Sequence, residues 1–263
     1  VRTARWLDER FFAPPVSLSE HSSGGERLLR SPHLSPVSGN HLMPFDLPPV
    51  TRNLLIANVV VFLLQLLLHD QTSLALTQHF ALWPLGPDVT GTTPDGNVVN
   101  AGFRVWQVVT YAFMHGGFTH ILFNMFGLVM FGGTIERTFG SRHFLVYYFV
   151  CAIVAAVAQL IVVQWFTHGF YPTLGASGAI FGVLLAFGML YPQEKMMLIF
   201  LPVPLPAWLF VTGYAVVELV QGVTGTQAGI AHFAHLGGML GGFVLIQYWR
   251  GRLPLKPKGR LLR

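Results

Sequence analysis

The chain has 263 residues, of which 52% are hydrophobic and only 10% are Asp, Glu, Lys or Arg, where a soluble domain carries about 25%. With a mean hydropathy of +0.55, this balance excludes an ordinary soluble fold and points to the bilayer, which a helix crosses with roughly 20 mostly apolar residues. The net charge of +5 does not mark a nucleic-acid partner, because the basic residues lie between apolar runs and at the ends, where they orient a membrane protein.

Residues 1–42 are rich in Ser, Pro, Arg and His and lack periodic apolar runs, so they are predicted to be disordered. No methionine precedes Met43, and the expectation is an upstream extension with Met43 as the natural start. No secretory signal peptide is evident, because the apolar region begins only after Arg52 and further spans follow it. A membrane domain is predicted over 43–250, with its first span at about 53–69 and Arg52 as a cytoplasmic anchor. The polar, Gly/Pro-rich stretch 69–105 holds Asp70, Asp88 and Asp95 but only Arg104 as a basic residue, and reads as an external loop. Spans at about 117–139 and 143–166 follow, separated by a turn whose Arg137 and Arg142 place it inside.

Residues 167–176 carry no Lys or Arg and include Gly169, Pro172 and Gly175, the features of an external loop leading into a fourth span at about 177–191. A short charged turn comes next, and Pro202, Pro204 and Pro206 then delay the fifth span to about 207–221. The sixth span, at about 228–249, runs into the basic tail 251–263, expected in the cytoplasm. Six spans with both termini inside agree with the charge of every loop. No internal repeat is seen, so a transporter built from two similar halves gains no support. Cys151 is the single cysteine, which rules out an intrachain disulfide framework, and within its apolar run it reads as a small packing residue.

Polar and ionisable residues within spans cost about 2.5 to 3.5 kcal/mol on insertion scales and are therefore functional candidates. His120 and Asn124, four residues apart, share one face of the second helix. Each can direct a hydrogen-bond donor inward, and each can equally act as glue between helices. Ser177, within Gly175-Ala176-Ser177-Gly178, stands at the predicted start of the fourth helix. Unpaired N–H groups and the positive dipole end there can stabilise an oxyanion. Packing alone is the competing explanation, since Gly178 and Gly182 form a GxxxG pattern. The elbow of soluble hydrolases does not fit, because Ala179 occupies its last glycine position. His232 and His235 lie on the sixth helix. A serine nucleophile needs a base about 2.6 to 3.2 Å away, and Gly178, Gly182, Gly238 and Gly242 would let two helices approach that closely.

Jointly, His120-x-x-x-Asn124, Gly175-x-Ser177-Gly178 and His235-Leu-Gly-Gly238 resemble the rhomboid family of intramembrane serine proteases over about 53–249. The resemblance implies an all-α, polytopic bundle of six transmembrane helices. It implies Ser177 as nucleophile and His235 as base, with His120, Asn124 and the Ser177 N–H around the oxyanion. Only His235 opens the family's His-Leu-Gly-Gly pattern, which leaves His232 as a near decoy. Phe181 falls where the family often places an aromatic ring, commonly tyrosine, against the catalytic imidazole. Glu136 and Arg137 agree with a Gly-x-x-x-Glu-x-x-x-Gly pattern, here Gly132 to Gly140. Trp106-Gln107 departs from the family's Trp-Arg and puts the anchoring of the first external loop in doubt. His115 reads as a loop histidine near the external approach.

No buried carboxylate is evident to orient His235, and the family works as a Ser–His dyad without a cofactor or metal. Single-span membrane proteins with helix-weakening residues are the implied substrates, the lipid bilayer the implied surrounding, and a bacterial inner membrane the expected location. Three rival readings fit the sequence less well. A non-catalytic client-binding relative would lack the serine or the histidine, and both are present. A metalloprotease using His120, His232 and His235 lacks the His-Glu-x-x-His motif. A proton-conducting channel or transporter would leave the serine motif unexplained.

Overall fold

The computed structural model describes residues 47–68, 70–92, 98–198, 201–225, 231–255, 257 and 261. The stretch predicted to be disordered, 1–42, and the expected start Met43 lie outside the described residues. All described residues belong to one compact unit, Phe45–Arg263.

Helix α1 spans Pro49–Leu67, beginning four residues before the predicted boundary because Pro49 has a fixed φ suited to a first helical position. Its first-turn N–H groups are capped from a distance. Glu136 accepts from the Val50 and Thr51 amides at 3.0 and 2.7 Å, and from the Thr51 hydroxyl at 2.8 Å. A carboxylate at a helix N-terminus satisfies orphan donors and complements the dipole. Glu136 also accepts from the Ser141 hydroxyl at 2.7 Å, so one buried side chain ties together the ends of three helices.

The second span, Phe118–Phe139, consists of α4 (Phe118–Gly127), a π turn over Leu128–Gly132 and α5 (Gly133–Phe139). The third, Ser141–Thr167, is α6 (Ser141–Val162) closed by a second π turn. Next come α7 (Ser177–Leu190), α8 (Ala207–Thr224) and α9 (His232–Trp249). Residues 226–230, where the sixth span was expected to begin, lie outside the described residues.

Among the described residues, four helices are long and apolar enough to cross a bilayer: α1, the α4–α5 span, the α6 span and α8. The remaining two differ for physical reasons. Helix α7 has 14 residues and is about 21 Å long at 1.5 Å per residue. Helix α9 carries two histidines and four glycines that dilute its hydropathy. Both lie inside, with α9 packed most extensively on α6 and α7. In α8, by contrast, only 17% of the most apolar window is buried, against 50% in the α6 span. Trp208, Val216, Val217, Leu219 and Val220 of α8 face outward, as lipid-facing residues do.

Glycines set the closeness of the centre. A Cβ on Gly238 would run into the Gly178 carbonyl, one on Gly182 into the Cys151 sulfur, and one on Gly242 into the Tyr147 hydroxyl. The Tyr147 hydroxyl donates to the Gly182 carbonyl at 2.7 Å. Cys151 is fully buried against these glycines, in keeping with its reading as a packing residue.

Two stretches expected to be plain loop are structured. Between α1 and α4 lie α2 (Asp70–Phe80), a hairpin of β1 (Val89–Thr92) and β2 (Val98–Ala101) with Val89 opposite Ala101, and the short α3 (Gln107–Thr110). Between α7 and α8, β3 (Lys195–Leu198) pairs antiparallel with β4 (Leu201–Pro206). Neither region has a long apolar period, so composition alone concealed them.

Gln107 corrects the doubt about the first external loop. It is fully buried; its oxygen accepts from the Trp83 and Arg104 amides at 3.2 and 3.0 Å. Its amide nitrogen donates to the Gly102 and His79 carbonyls at 3.2 and 3.3 Å. Both faces of the carboxamide are used, so the loop is anchored without an arginine at this position.

Candidate active site

The segment before α7 is fixed from two sides. Leu82 and Thr173 exchange backbone hydrogen bonds of 2.9 and 2.8 Å, and the Gly175 amide donates to the Tyr111 carbonyl at 2.9 Å. Gly175 has φ of 121°, a region that side chains rarely enter. A Cβ there would also meet His120 Nε2 at 2.6 Å and Asn124 Nδ2 at 3.6 Å. The bare glycine thus brings the donor atoms of His120 and Asn124 against the backbone two residues before Ser177. Asn124 is additionally held by a 3.1 Å bond from its Nδ2 to the His120 carbonyl.

Ser177 is the first residue of α7. Its hydroxyl lies 2.8 Å from Nε2 of His235, one turn into α9. Gly178 and Gly238 permit this approach, each at the α7–α9 crossing. Phe181 stacks on the His235 ring with centroids 4.1 Å apart and planes at 5°, and Tyr214 stacks on Phe181 at 5.1 Å. The imidazole plane is therefore held by packing independently of its hydrogen bonds. His115 packs edge-on at 5.2 Å from His120, just outside the spans. Burial, and secondarily the charge of His120, pushes its ring down to about 4, which keeps it neutral.

The expectation that no carboxylate orients His235 is overturned. Glu218 of α8, only 4% exposed, places Oε2 2.9 Å from His235 Nδ1 and 2.7 Å from His232 Nδ1. It reaches inward because Val211, Tyr214 and Glu218 recur at helical spacing on one face of an otherwise outward-facing helix. The signal was present in the sequence: Glu218 is the single acidic residue of α8, and an ionisable group within a span is a candidate by default. His232, read as a decoy, does not contact the serine in this way but shares the carboxylate with His235.

Glu218, His232 and His235 also form a triplet whose ligand atoms lie within 4.8 Å of one another. A tetrahedral ion with bonds of about 2.0 to 2.1 Å separates its ligand atoms by roughly 3.3 Å. The two contacts of 2.7 and 2.9 Å are shorter and fit direct hydrogen bonds.

A model of the Rhomboid domain matches residues 102–252, more than half of the chain. The chain is similar to Rhomboid protein 1, mitochondrial, of Saccharomyces cerevisiae, with 32% identity across 60% of this chain and 45% of that protein. It is similar also to the rhomboid protease GluP of Bacillus subtilis, at 32% identity across 52% of this chain and 25% of the relative. RHOMBOID-like protein 12, mitochondrial, of Arabidopsis thaliana is 32% identical across 51% and 44%. The matched region spans less than half the length of each of these relatives.

Proposed function

This chain belongs to the rhomboid family and is an integral membrane protein, and from that premise we propose that it is an intramembrane serine endopeptidase. The single observation that carries the reading is the 2.8 Å pair of Ser177 Oγ and His235 Nε2 at the N-terminus of α7.

In the proposed reaction the Ser177 hydroxyl gives its proton to His235 Nε2 as Oγ bonds to the scissile carbonyl carbon. The developing oxyanion is met by the Ser177 N–H, His120 Nε2 and Asn124 Nδ2. Preorganised donors of this kind are worth about 10²- to 10³-fold each. The C–N bond then breaks and the proton passes from His235 to the leaving amine. Water, deprotonated by His235, attacks the acyl ester; the C–Oγ bond breaks and Ser177 recovers its proton, releasing a carboxylate product.

Single-span membrane proteins are the proposed substrates. Their backbone carbonyls are hydrogen-bonded within a helix, so residues that weaken the helix near the cut, with a small residue before it, favour attack. The proposed setting is a bacterial inner membrane with both termini cytoplasmic, on the strength of the loop charges. A reporter fused to the C-terminal tail that becomes active outside the cytoplasm would overturn the orientation.

The test of activity is cleavage of a fluorescent single-span substrate by purified protein in detergent. Cleavage by the wild type and its loss in Ser177→Ala and in His235→Ala are expected. Cleavage by Ser177→Ala at the wild-type rate would refute the serine mechanism.

A further inference from the structure

Glu218 is a charged group in the least buried helix of the bundle, yet it is 4% exposed. Taking a carboxylate out of water is costly unless it is well paired. Its partners are two imidazole nitrogens, both Nδ1, and both on the same oxygen.

An ionised carboxylate can only accept hydrogen bonds. Each ring must therefore present Nδ1–H, which sets the tautomer of both histidines. For His235 the consequence is chemical: with the proton on Nδ1, Nε2 carries a lone pair, and that lone pair faces the Ser177 hydroxyl at 2.8 Å. For His232 the same tautomer leaves an Nε2 lone pair that is buried and meets no hydrogen-bond partner among the described residues. Among the described residues a second N–H at that position would meet no acceptor, so His232 is placed to serve the carboxylate through Nδ1 alone. The Glu218 carboxylate lies beside the ring that gains a positive charge when His235 takes the serine proton.

We infer that Glu218 is a positioning residue that turns the Ser177–His235 pair into a serine–histidine–glutamate triad, with His232 as the donor that holds the carboxylate in place. This rests on the serine protease reading and extends it. Glu218 acts through His235 in two ways. It presents the basic nitrogen to the serine, and it stabilises the imidazolium formed during attack without itself taking the proton. His232, on the same helix one turn before His235, occupies the second lone pair of Oε2 and keeps the carboxylate from rotating away.

The test follows the second-order rate at which a fluorophosphonate probe labels Ser177 in the full chain in detergent, as a function of pH. Wild type, Glu218→Gln, Glu218→Asp, Ser177→Ala and His235→Ala are compared, with thermal melts alongside. The ionisable groups around the His235 ring are Glu218 and Tyr214 on α8, His232 on its own helix, His120 on α4 and Ser177 itself. All but Glu218 are unchanged in Glu218→Gln.

Glutamine keeps the shape and removes the charge. The expected plateau rate falls on the order of 10²- to 10⁴-fold, and the acid limb of the profile moves to lower pH because the imidazolium has lost its anion. Glu218→Asp, which keeps the charge on a shorter arm, recovers part of the rate. A merely structural glutamate would change the melt and the labelled fraction but not the position of the acid limb. Labelling of Glu218→Gln at the wild-type rate with an unmoved limb, while Ser177→Ala and His235→Ala stay unlabelled, would overturn the triad and leave the dyad standing. Labelling of Ser177→Ala as fast as wild type would instead overturn the serine reading, and the triad with it.

Discussion

Replacing Gly238 with alanine adds one methyl group at the crossing of α7 and α9. The new carbon would stand 2.7 Å from the Gly178 carbonyl carbon and 3.3 Å from its Cα, and would press on the carbonyl oxygen. These are backbone atoms of a buried helix and cannot swing aside as the end of a side chain could. Non-bonded carbons settle at about 3.5 to 4.0 Å, so α9 must retreat from α7 by about 1 Å. His235 lies three residues earlier on α9 and Ser177 one residue before Gly178, so the same shift stretches their 2.8 Å contact to ~3.8 Å, beyond hydrogen-bond reach. A misplacement of this size costs about 10²-fold in rate, and overpacking costs about 1 to 3 kcal/mol in stability. Gly238→Ala should therefore label with a fluorophosphonate about 100-fold more slowly than wild type, with a melting point lowered by several degrees. Gly213→Ala on α8, where an added carbon meets nothing within 4 Å, should match the wild type in both. Wild-type labelling by Gly238→Ala would refute the argument that glycine contact sets the serine–histidine distance.

Gln107→Ala should lower the melting point without abolishing labelling of the protein that remains folded. It removes the shared acceptor of the Trp83 and Arg104 amides, and each amide left unsatisfied costs about 1 to 3 kcal/mol; an unchanged melt would show that the loop is anchored elsewhere. His115 predicts a pH dependence of stability. Its folded value is lowered to about 4 from an ordinary 6.5, so between those values the unfolded chain binds the extra proton. This contribution is complete above pH 6.5 and is lost as pH falls toward about 4, at about 1.4 kcal/mol per pH unit. The melting point of His115→Leu should accordingly fall less than that of the wild type over this window, and equal slopes would contradict the assignment.

Much of the membrane layout was legible in the sequence because it rests on local properties. Apolar run length puts four expected spans within a few residues of the helices that are long and apolar enough to cross a bilayer, and the charge of the flanking loops is itself a sequence property. What misled was of two kinds. The external stretch 69–105 and the proline-rich stretch 192–206 read as loops, yet they contain α2 and two hairpins whose short elements have no long period to detect. Gln107 was read as a missing arginine, whereas a buried carboxamide with both faces paired holds the same loop.

The serine and histidine motifs, and the glycines that let them approach, could be read from residue types because intramembrane polar groups are costly and few. Their sequence separation of 58 residues says nothing of distance, and the 2.8 Å contact exists only because α7 and α9 cross at Gly178 and Gly238. Glu218 illustrates the same division most sharply. Its presence within an apolar span was visible from the start, but which groups it pairs with depends on the rotation of α8 against α9. That rotation is decided by packing between helices distant in the chain, a tertiary property that no local pattern encodes.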